Sequence, residues 1–417
     1  MSDLISFASE ARKASRKMAV IDKESKNNAL LAISAALISN KEEIFRANAE
    51  DLRKAEKEKL EGPLLKRLRF DESKLKDVTD GILSLTKLED PVGKVLLHTS
   101  LDEGLELYRV TCPIGVIGVI FESRPDALVQ IASLCLKSGN AVFLKGGREA
   151  FNTNKVLSEI ILKAGIDSGL PEGWLHLLAT REDVTAMLSL DKYIDLIIPR
   201  GSNEFVKYIM NNTNIAVMGH ADGVCHTYID RDADIDMAVK VATDAKTQYV
   251  SVCNATETIL IHRDILDKVK GPLYESLKAK GVTIYEEGDV SEWHHEYLDY
   301  KVSVKVVDSV NEAVDHINTY GSGHTDAIIT DNDETARIFL DSVDSGSVLR
   351  NCSTRFADGF RYGFGAEVGI STSKLHARGP VGLEGLITYK YKLTGNGDIV
   401  GDYAEGRKTF KHIRHDV

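Results

Sequence analysis

The first 90 residues of the chain carry a helical pattern of apolar positions. Apolar side chains recur three and four residues apart, as the buried face of an amphipathic helix requires. Charged residues lie between them, and the dense charge of residues 53–59 is typical of a solvated helix face. The pattern therefore predicts a helical N-terminal region, carried by Leu4, Phe7, Ala8, Leu30, Leu31, Ile33 and Leu37.

From residue 114 onward the pattern changes to short apolar runs separated by helical stretches. Strands that are apolar almost throughout, with helices between them, are typical of a parallel sheet covered on both faces. A first series ends near residue 199, and a second series of the same kind follows it. The sequence thus predicts an α/β protein with two such units, and its strands are expected at 114–121, 141–145, 174–178, 193–199, 257–262, 281–285, 302–307 and 326–330.

A third unit is expected from a different pattern. Residues 105–110 alternate between apolar and polar side chains, as a half-buried strand does, and the polar tail after Lys390 could pair with them. We interpret both as a small β oligomerisation arm. The predicted domains are a cofactor-binding domain (1–97 and 113–230), a catalytic domain (231–385) and the arm (98–112 and 386–417).

Composition and charge narrow the class of protein. The chain has 417 residues, 43% hydrophobic and 28% charged, which suits an ordinary globular protein of two or three domains. Its net charge of −11 argues against broad binding to nucleic acid or anionic membranes. Five widely spaced cysteines favour a reduced, cytoplasmic protein, and we expect neither a secretory signal nor a membrane helix.

Common phosphate-binding motifs are missing from the sequence. No GxGxxG or Walker motif occurs, so a standard Rossmann phosphate loop and a P-loop kinase are both excluded. Residues 199–204 (PRGSNE) instead end an apolar strand and open a helix at Ser202, where free backbone N–H groups attract anions. The alternative is an ordinary glycine turn with a serine-capped helix.

One cysteine lies where a reactive side chain is expected. Cys253 follows a helical stretch and precedes the apolar strand at 257–262, a connection of the kind that often carries site residues. Taken alone, the residue is better interpreted as a buried structural cysteine, because free cysteines are commonly core residues. His294, His295 and Glu296 are adjacent rather than spaced as metal ligands, so we expect no metal site.

Several longer motifs carry a family resemblance. They are PIGVIGVIFESRPD (113–126), YIDLIIPRGS (193–202), CNATET (253–258), STRFADG (353–359) and KLHARGP (374–380). Together the motifs resemble the aldehyde dehydrogenase superfamily, in particular its phosphorylating reductases that act on glutamyl 5-phosphate. The resemblance implies the fold of that superfamily, NADPH as cofactor, and the NADPH-dependent formation of glutamate 5-semialdehyde in proline biosynthesis.

The resemblance also implies roles for individual residues. Cys253 matches the nucleophile that forms a covalent acyl-enzyme. Lys145 matches the lysine at the adenosine ribose, and Gly201 and Ser202 match the turn beneath the pyrophosphate. Glu296 matches the glutamate at the nicotinamide ribose, although its surroundings depart from the family pattern.

Two departures from the hydrolytic members of the superfamily favour an acyl-phosphate substrate. Those members carry a water-activating glutamate where this chain has AVMGH (216–220). They also carry an oxyanion-binding asparagine where this chain has Arg124, which is expected to stabilise the oxyanion or to hold a substrate anion. The alternative for Arg124 is an ion pair with Glu122 or Asp126.

The substrate anions require basic groups. The candidates are Arg355, Lys374, His376 and Arg378, each of which could instead form ion pairs between domains. Two other functions remain open: a non-phosphorylating aldehyde dehydrogenase, and a non-catalytic scaffold that binds glutamate 5-kinase. We expect a homo-oligomer, with glutamate 5-kinase as a possible partner.

Overall fold

The structure is a computed structural model that describes residues 2–60, 62–122, 124–219, 222–364 and 366–417. The helices, in chain order, are α1 (Ser2–Met18), α2 (Lys23–Ser39), α3 (Lys41–Lys57), α4 (Gly62–Leu68), α5 (Glu72–Lys87), α6 (Pro125–Lys137), α7 (Phe151–Asp167), α8 (Arg181–Met187), α9 (Asn203–Asn211), α10 (Ile235–Thr247), α11 (Leu266–Ala279), α12 (Val310–Tyr320), α13 (Asp333–Ser342) and α14 (Val400–Ala404). None of the described helices is long and apolar enough to span a membrane.

The strands alternate with these helices through most of the chain. In chain order they are β1 (Val95–Asp102), β2 (Leu105–Pro113), β3 (Val116–Ile120), β4 (Ala141–Lys145), β5 (Leu175–Leu177), β6 (Leu196–Pro199), β7 (Ala216–Val217), β8 (Cys225–Ile229), β9 (Thr256–His262), β10 (Thr283–Glu286), β11 (Lys301–Val307), β12 (Thr325–Ile329), β13 (Ser347–Arg350), β14 (Gly369–Ser371), β15 (Gly379–Val381), β16 (Ile387–Thr394) and β17 (Ile413–His415).

The first sheet is parallel, in the order β5-β4-β3-β6-β7. Its central strands are buried along their whole length, as the continuous apolar runs predict, because helices cover both faces. In the strand register, Ile120 at the end of β3 lies beside Lys145 on one side and Pro199 on the other. The connections after these three strands therefore meet at one edge of the sheet.

The second sheet is also parallel, in the order β10-β11-β9-β8-β12-β13. The apolar pattern does not predict β8, because its buried residues His226 and Thr227 are polar. Both have partners inside the sheet: His226 Nδ1 lies 3.0 Å from Asp326 Oδ1, and Thr227 Oγ1 lies 2.7 Å from Thr256 Oγ1. Hydrogen bonding to neighbouring strands thus offsets part of the loss of hydration, while His226 Nε2 is buried with no hydrogen-bond partner among the described residues. The α/β fold expected from the sequence is confirmed.

A third, antiparallel sheet has the order β16-β2-β1-β17. The expected strand at 105–110 belongs to β2, which pairs along its length with β16, as the alternation and the polar tail suggest. The oligomerisation role of this sheet stays a prediction.

The chain returns from the second sheet to the core of the first. Val368, Val381, Leu383 and Leu386 are buried in the same apolar cluster as β3, β4 and α6. The segment around β14 and β15 therefore forms a bridge between the two parallel sheets, and a cleft opens beside it.

One buried histidine couples the stability of the second sheet to pH. His316 of α12 is buried beside His226, and its Nδ1 lies 3.5 Å from Lys305 Nζ. Burial, together with the charges of His226 and Lys305, lowers the pKa of His316 from 6.5 to about 3. The folded state therefore favours the neutral ring.

We expect this histidine to destabilise the protein in acid. In the unfolded chain His316 becomes protonated near pH 6.5, whereas in the folded chain it stays neutral until about pH 3. The free energy of unfolding is therefore unaffected by His316 above pH 6.5 and decreases as the pH falls below that value. The loss attributable to His316 is at most about 1.4 kcal/mol per pH unit. Urea unfolding between pH 7 and 4 should show a shallower decline for His316→Leu than for the wild type. Parallel declines would contradict this assignment.

Candidate active site

A cleft of about 690 Å³ lies between the two parallel sheets and contains Cys253. One wall is the turn after β6, with Gly201 and Ser202. Glu296, Leu298 and Gly369 of β14 also line the cleft. A cleft of this size, formed where two α/β units meet, suits a substrate and a cofactor.

Cys253 occupies a tight turn between α10 and β9 and is partly exposed. Gly223 lies directly behind it: a Cβ at Gly223 would come within 2.5 Å of Cys253 Cα and 2.3 Å of its carbonyl oxygen. Backbone atoms cannot yield at such distances, so this position requires glycine. The close approach holds the Cys253 turn against the residues that lead into β8.

His324 provides a base for the Cys253 thiol. Its Nε2 lies 3.1 Å from Cys253 Sγ, and its Nδ1 lies 2.8 Å from Thr325 Oγ1. When Nδ1 donates to the threonine hydroxyl, Nε2 is the unprotonated nitrogen and faces the thiol. Such a thiol–imidazole contact is how proteins activate a cysteine nucleophile.

His324 is not recognisable as a site residue from the sequence alone. The signal present in the sequence is its position immediately before the apolar strand at 326–330, but many histidines lie at strand ends. Only the pairing of β12 with β8, and of β8 with β9, brings His324 beside Cys253.

A second cysteine lies close to this pair. Cys225 Sγ donates a hydrogen bond to the carbonyl oxygen of Cys253 at 3.1 Å. Burial raises the pKa of the Cys225 thiol well above its ordinary value, so it stays protonated. It supports the turn and does not compete as a nucleophile.

Three of the predicted cofactor residues come together at the start of α9. Gly201 and Ser202 form the turn, and Asn203 Nδ2 donates to Glu296 Oε2 at 2.8 Å. A Cβ at Gly201 would lie 2.9 Å from Glu122 Oε1, so the turn is already close to its neighbours. The Glu122 carboxylate also accepts a hydrogen bond from the backbone N–H of Ser202, so this N–H points at an anionic group of the protein itself.

Lys145 lies at the same sheet edge but not in the wall of the cleft. It ends β4, is buried, and its Nζ donates to the carbonyl oxygen of Gly146 at 2.5 Å. Lys145 ends β4, and the Gly201 turn follows β6. The strand β3, which ends at Ile120, lies between them.

The structure brings Arg355 close to Cys253. Arg355 is buried, its Nε donates to Gln248 Oε1 at 2.9 Å, and Asn254 Nδ2 donates to Ala357 O at 2.8 Å. The segment around Arg355 is therefore fastened to the turn that carries Cys253. Burial and then the charge of Arg361 lower the pKa of Arg355, while Cys253 acts in the opposite direction.

Arg124 is not brought to Cys253. Its side chain is 52% exposed at the start of α6, its Nη2 lies 3.5 Å from Asp126 Oδ2, and it does not line the cleft. Asp126 also pairs with Lys74 at 3.3 Å. The contact that the structure describes for Arg124 is thus the ion pair with Asp126 that the sequence left open.

Two of the three other basic candidates line a different cavity, and the third pairs with the same aspartate as one of them. His376 and Arg378 line a cavity of about 440 Å³ beside Lys94, and Lys374 and Arg378 both pair with Asp344. Lys374, His376 and Arg378 are not among the residues that line the Cys253 cleft.

His294 and Glu296 contact different partners. His294 Nδ1 lies 2.8 Å from the carbonyl oxygen of Tyr320, whereas Glu296 reaches Asn203. Among the described residues, the group with metal-ligand atoms close together is His98, Glu106 and His415, on the antiparallel sheet. The rings of His98 and His415 are stacked 4.2 Å apart, and stacked rings do not aim both lone pairs at one ion.

Comparison with known proteins covers nearly the whole chain. A model described as the aldehyde dehydrogenase family matches residues 2–287. The gamma-glutamyl phosphate reductase of Acetivibrio thermocellus is 62% identical, over 97% of both chains, and that of Pelotomaculum thermopropionicum is 61% identical, over 98% of this chain and 97% of the relative. The crystal structure of the Thermotoga maritima gamma-glutamyl phosphate reductase has a TM-score of 0.91 at 36% identity, covering 95% of this chain and 99% of that one. The similarity extends to both sequence and fold.

The contact between Cys253 and His324 predicts how the thiol reacts. Replacing His324 by Gln removes the base, so alkylation of Cys253 by iodoacetamide at pH 7 should slow about 10²-fold. The deficit should shrink above about pH 9, where thiols ionise without a base. Mass spectrometry of the labelled peptide measures the rate at Cys253.

Two variants serve as controls for this experiment. Cys253→Ala should abolish the fast labelling, and Cys352→Ala should leave it intact, since burial raises the pKa of the Cys352 thiol. Equal labelling rates in the wild type and His324→Gln at pH 7 would remove His324 from the site.

Proposed function

Because this chain belongs to the aldehyde dehydrogenase family, and within it to the gamma-glutamyl phosphate reductases, we propose that it reduces L-glutamyl 5-phosphate to L-glutamate 5-semialdehyde and phosphate with NADPH. This membership confirms the resemblance inferred from the motifs. The proposal rests on one observation: Cys253 Sγ lies 3.1 Å from His324 Nε2 in a cleft that also contains the Gly201 turn. A nucleophile and an anion-binding turn in one cleft suit reduction through a thioester.

The residues of the cleft fit a nicotinamide dinucleotide, the cofactor that the family uses. The turn before α9 is tightly packed and has no side chain at Gly201, and the start of α9 offers backbone N–H groups to a pyrophosphate. We assign Gly201 and Ser202 to the pyrophosphate, Glu296 to the nicotinamide ribose and Lys145 to the adenosine ribose. The bound dinucleotide supplies the hydride that reduces the acyl carbon.

Two further cations support NADPH over NADH. The 2′-phosphate of NADPH needs basic groups near the adenosine ribose. Arg148 follows Lys145 by three residues and is largely exposed, with its Nη2 3.5 Å from Glu58. Arg67 lines the cleft beside Glu122.

In the proposed reaction Cys253 forms and breaks the covalent bond to the substrate. His324 Nε2 accepts the thiol proton, the sulfur attacks the acyl carbon, and the bond from that carbon to the phosphate oxygen breaks. The departing phosphate takes the proton from His324. After hydride delivery the carbon–sulfur bond breaks, its electron pair returns to sulfur, and a solvent proton restores the thiol.

The cleft favours phosphate over water as the acyl acceptor in the reverse direction. Residues 216–219 (AVMG) carry no carboxylate to activate water, and His220 lies outside the described residues. Met218 lines the cleft at this position with an apolar side chain. This feature supports the phosphorylating reaction over the non-phosphorylating alternative.

The paired nucleophile and base also argue against a non-catalytic scaffold. A chain that only bound another protein would not need a thiol 3.1 Å from an imidazole inside a cleft. Glutamate 5-kinase, which forms the acyl phosphate, stays a predicted partner. For the expected homo-oligomer, the exposed Tyr389, Tyr391 and Leu393 on one face of β16 offer an apolar surface.

The reverse reaction tests the proposed function. Oxidation of glutamate 5-semialdehyde with NADP⁺ should depend on inorganic phosphate, because the thioester needs an acceptor. NADPH formation, followed by absorbance, should fall about 10²-fold or more without phosphate. The same assay with NAD⁺ should be slower, and Cys253→Ala should be inactive. A rate independent of phosphate would favour the non-phosphorylating alternative.

Arg355 and Arg124 give a matched pair of variants. If Arg355 holds a substrate anion, Arg355→Gln should raise the KM for the semialdehyde about 10- to 100-fold, the loss expected for a hydrogen bond between charged groups. Arg124→Gln should change KM and kcat less than about threefold, the range of a surface ion pair. Steady-state kinetics at saturating NADP⁺ measures both.

The opposite result would restore the role expected from the sequence. If Arg124→Gln lowers kcat about 10²-fold while Arg355→Gln leaves KM unchanged, Arg124 is the oxyanion donor. Circular dichroism of both variants checks that the fold is retained.

A further inference from the structure

An ion pair without solvent exposure lies beneath the Cys253 turn. Lys246 Nζ in the last turn of α10 is 2.6 Å from Glu257 Oε2 in β9, and both side chains are 0% exposed. The two residues flank the loop 248–255 that carries Cys253. We call this pair the buried clasp.

A contribution to the stability of the folded protein does not explain well why this ion pair is buried. Moving two charges out of water costs several kcal/mol per ion, and well-packed apolar residues often stabilise a protein as much or more. Burial raises the pKa of Glu257 to about 7 and lowers the pKa of Lys246, while each partner opposes the shift of the other. The remaining hydrogen bond of Glu257, to the backbone of Leu298, indicates a more specific role for the clasp.

The second oxygen of Glu257 contacts Leu298, which lines the same cleft as Cys253. Glu257 Oε1 accepts a hydrogen bond from the backbone N–H of Leu298 at 3.3 Å. On the other side of the same residue, Ser251 Oγ donates to the carbonyl oxygen of Leu298 at 3.3 Å. Both peptide groups of Leu298 are thus held by residues of the segment around Cys253.

Leu298 needs this support because of its backbone. Its φ of +50° lies in the left-handed region, which a leucine rarely adopts without compensating contacts. Glu296, two residues earlier, reaches Asn203 at the start of α9 at 2.8 Å. A continuous chain of contacts therefore runs from the Cys253 loop, through the clasp and Leu298, to the turn at Gly201.

We propose that Glu257, held by Lys246, is a positioning residue that fixes the Glu296 wall of the cleft relative to Cys253. The clasp touches neither substrate nor cofactor, and it acts through Leu298. This inference rests on the proposed cofactor role of Glu296. It assigns to the buried pair a part in presenting the cofactor to the thioester.

Two double variants separate the hydrogen bond to Leu298 from the buried charges. Lys246→Met with Glu257→Gln removes both charges but keeps an oxygen that accepts from Leu298. Lys246→Met with Glu257→Leu removes both charges and the acceptor. Neither variant leaves a lone buried charge, so both are expected to fold.

The readout is NADPH binding, followed by the fluorescence of the bound cofactor. The Leu variant should bind NADPH about 3- to 10-fold more weakly than the Gln variant, the range of one hydrogen bond. Iodoacetamide labelling of Cys253 without cofactor should be equal in the two, because the nucleophile and His324 are untouched. Equal NADPH affinities in the two variants would overturn the inference.

Ser251→Ala provides an independent route if a double variant fails to fold. This exposed side chain holds the carbonyl side of Leu298, so its loss should weaken NADPH binding about threefold. Unchanged binding would contradict the anchoring of Leu298.

The variant Glu296→Gln tests the proposed cofactor role of Glu296 separately from the positioning role of the clasp. If Glu296→Gln leaves NADPH affinity unchanged, the assignment of Glu296 to the cofactor is wrong, and the inference falls with it. If Glu296→Gln weakens NADPH binding while the two double variants bind NADPH equally well, the assignment of Glu296 to the cofactor is retained. Only the positioning role of the clasp is then rejected.

Discussion

The site depends on the parallel pairing of β8 with β9 and β12. Cys225 lies beside Thr256, and Asp326 beside His226, so the three strands begin at nearly the same level. The residues that precede them therefore meet at the amino edge of the second sheet. Cys253 and His324 are about 70 residues apart in the chain, yet this register brings sulfur and nitrogen to 3.1 Å.

The first sheet contributes its opposite edge. The carboxyl ends of β3, β4 and β6 are aligned, so the turn at Gly201 and the end of β4 at Lys145 face the same side. One sheet thus offers helix-start N–H groups suited to an anion, and the other offers a thiol beside an imidazole. The bridge around β14 and β15, anchored in the first core by Val368 and Val381, keeps the two edges facing each other.

Close contacts, rather than flexible side chains, hold the reactive groups. Gly223 packs against the backbone of Cys253 with no space for a Cβ, and Nδ1 of His324 contacts Thr325 Oγ1 while Nε2 faces the thiol. The Arg355 segment and the Leu298 wall are each fastened to the Cys253 loop by hydrogen bonds. Such preorganisation is what a thioester mechanism needs, because attack and hydride transfer must reach the same carbon.

The sequence by itself determined the α/β class, most of the parallel strands, the helix start after residue 202, and Cys253 as the nucleophile to test. These features follow from local patterns and from motifs whose residues are neighbours in the chain. Tertiary structure alone decided that His324 faces Cys253, that Arg355 comes near the thiol, and that Arg124, Lys374, His376 and Arg378 lie elsewhere. The strand β8 also needed the structure, since its buried polar residues break the apolar pattern and become acceptable only with partners from β12 and β9. The physical reason is common to all of these cases: periodicity reports which way a residue faces within its own element, whereas strand register and packing set which distant residues share a site.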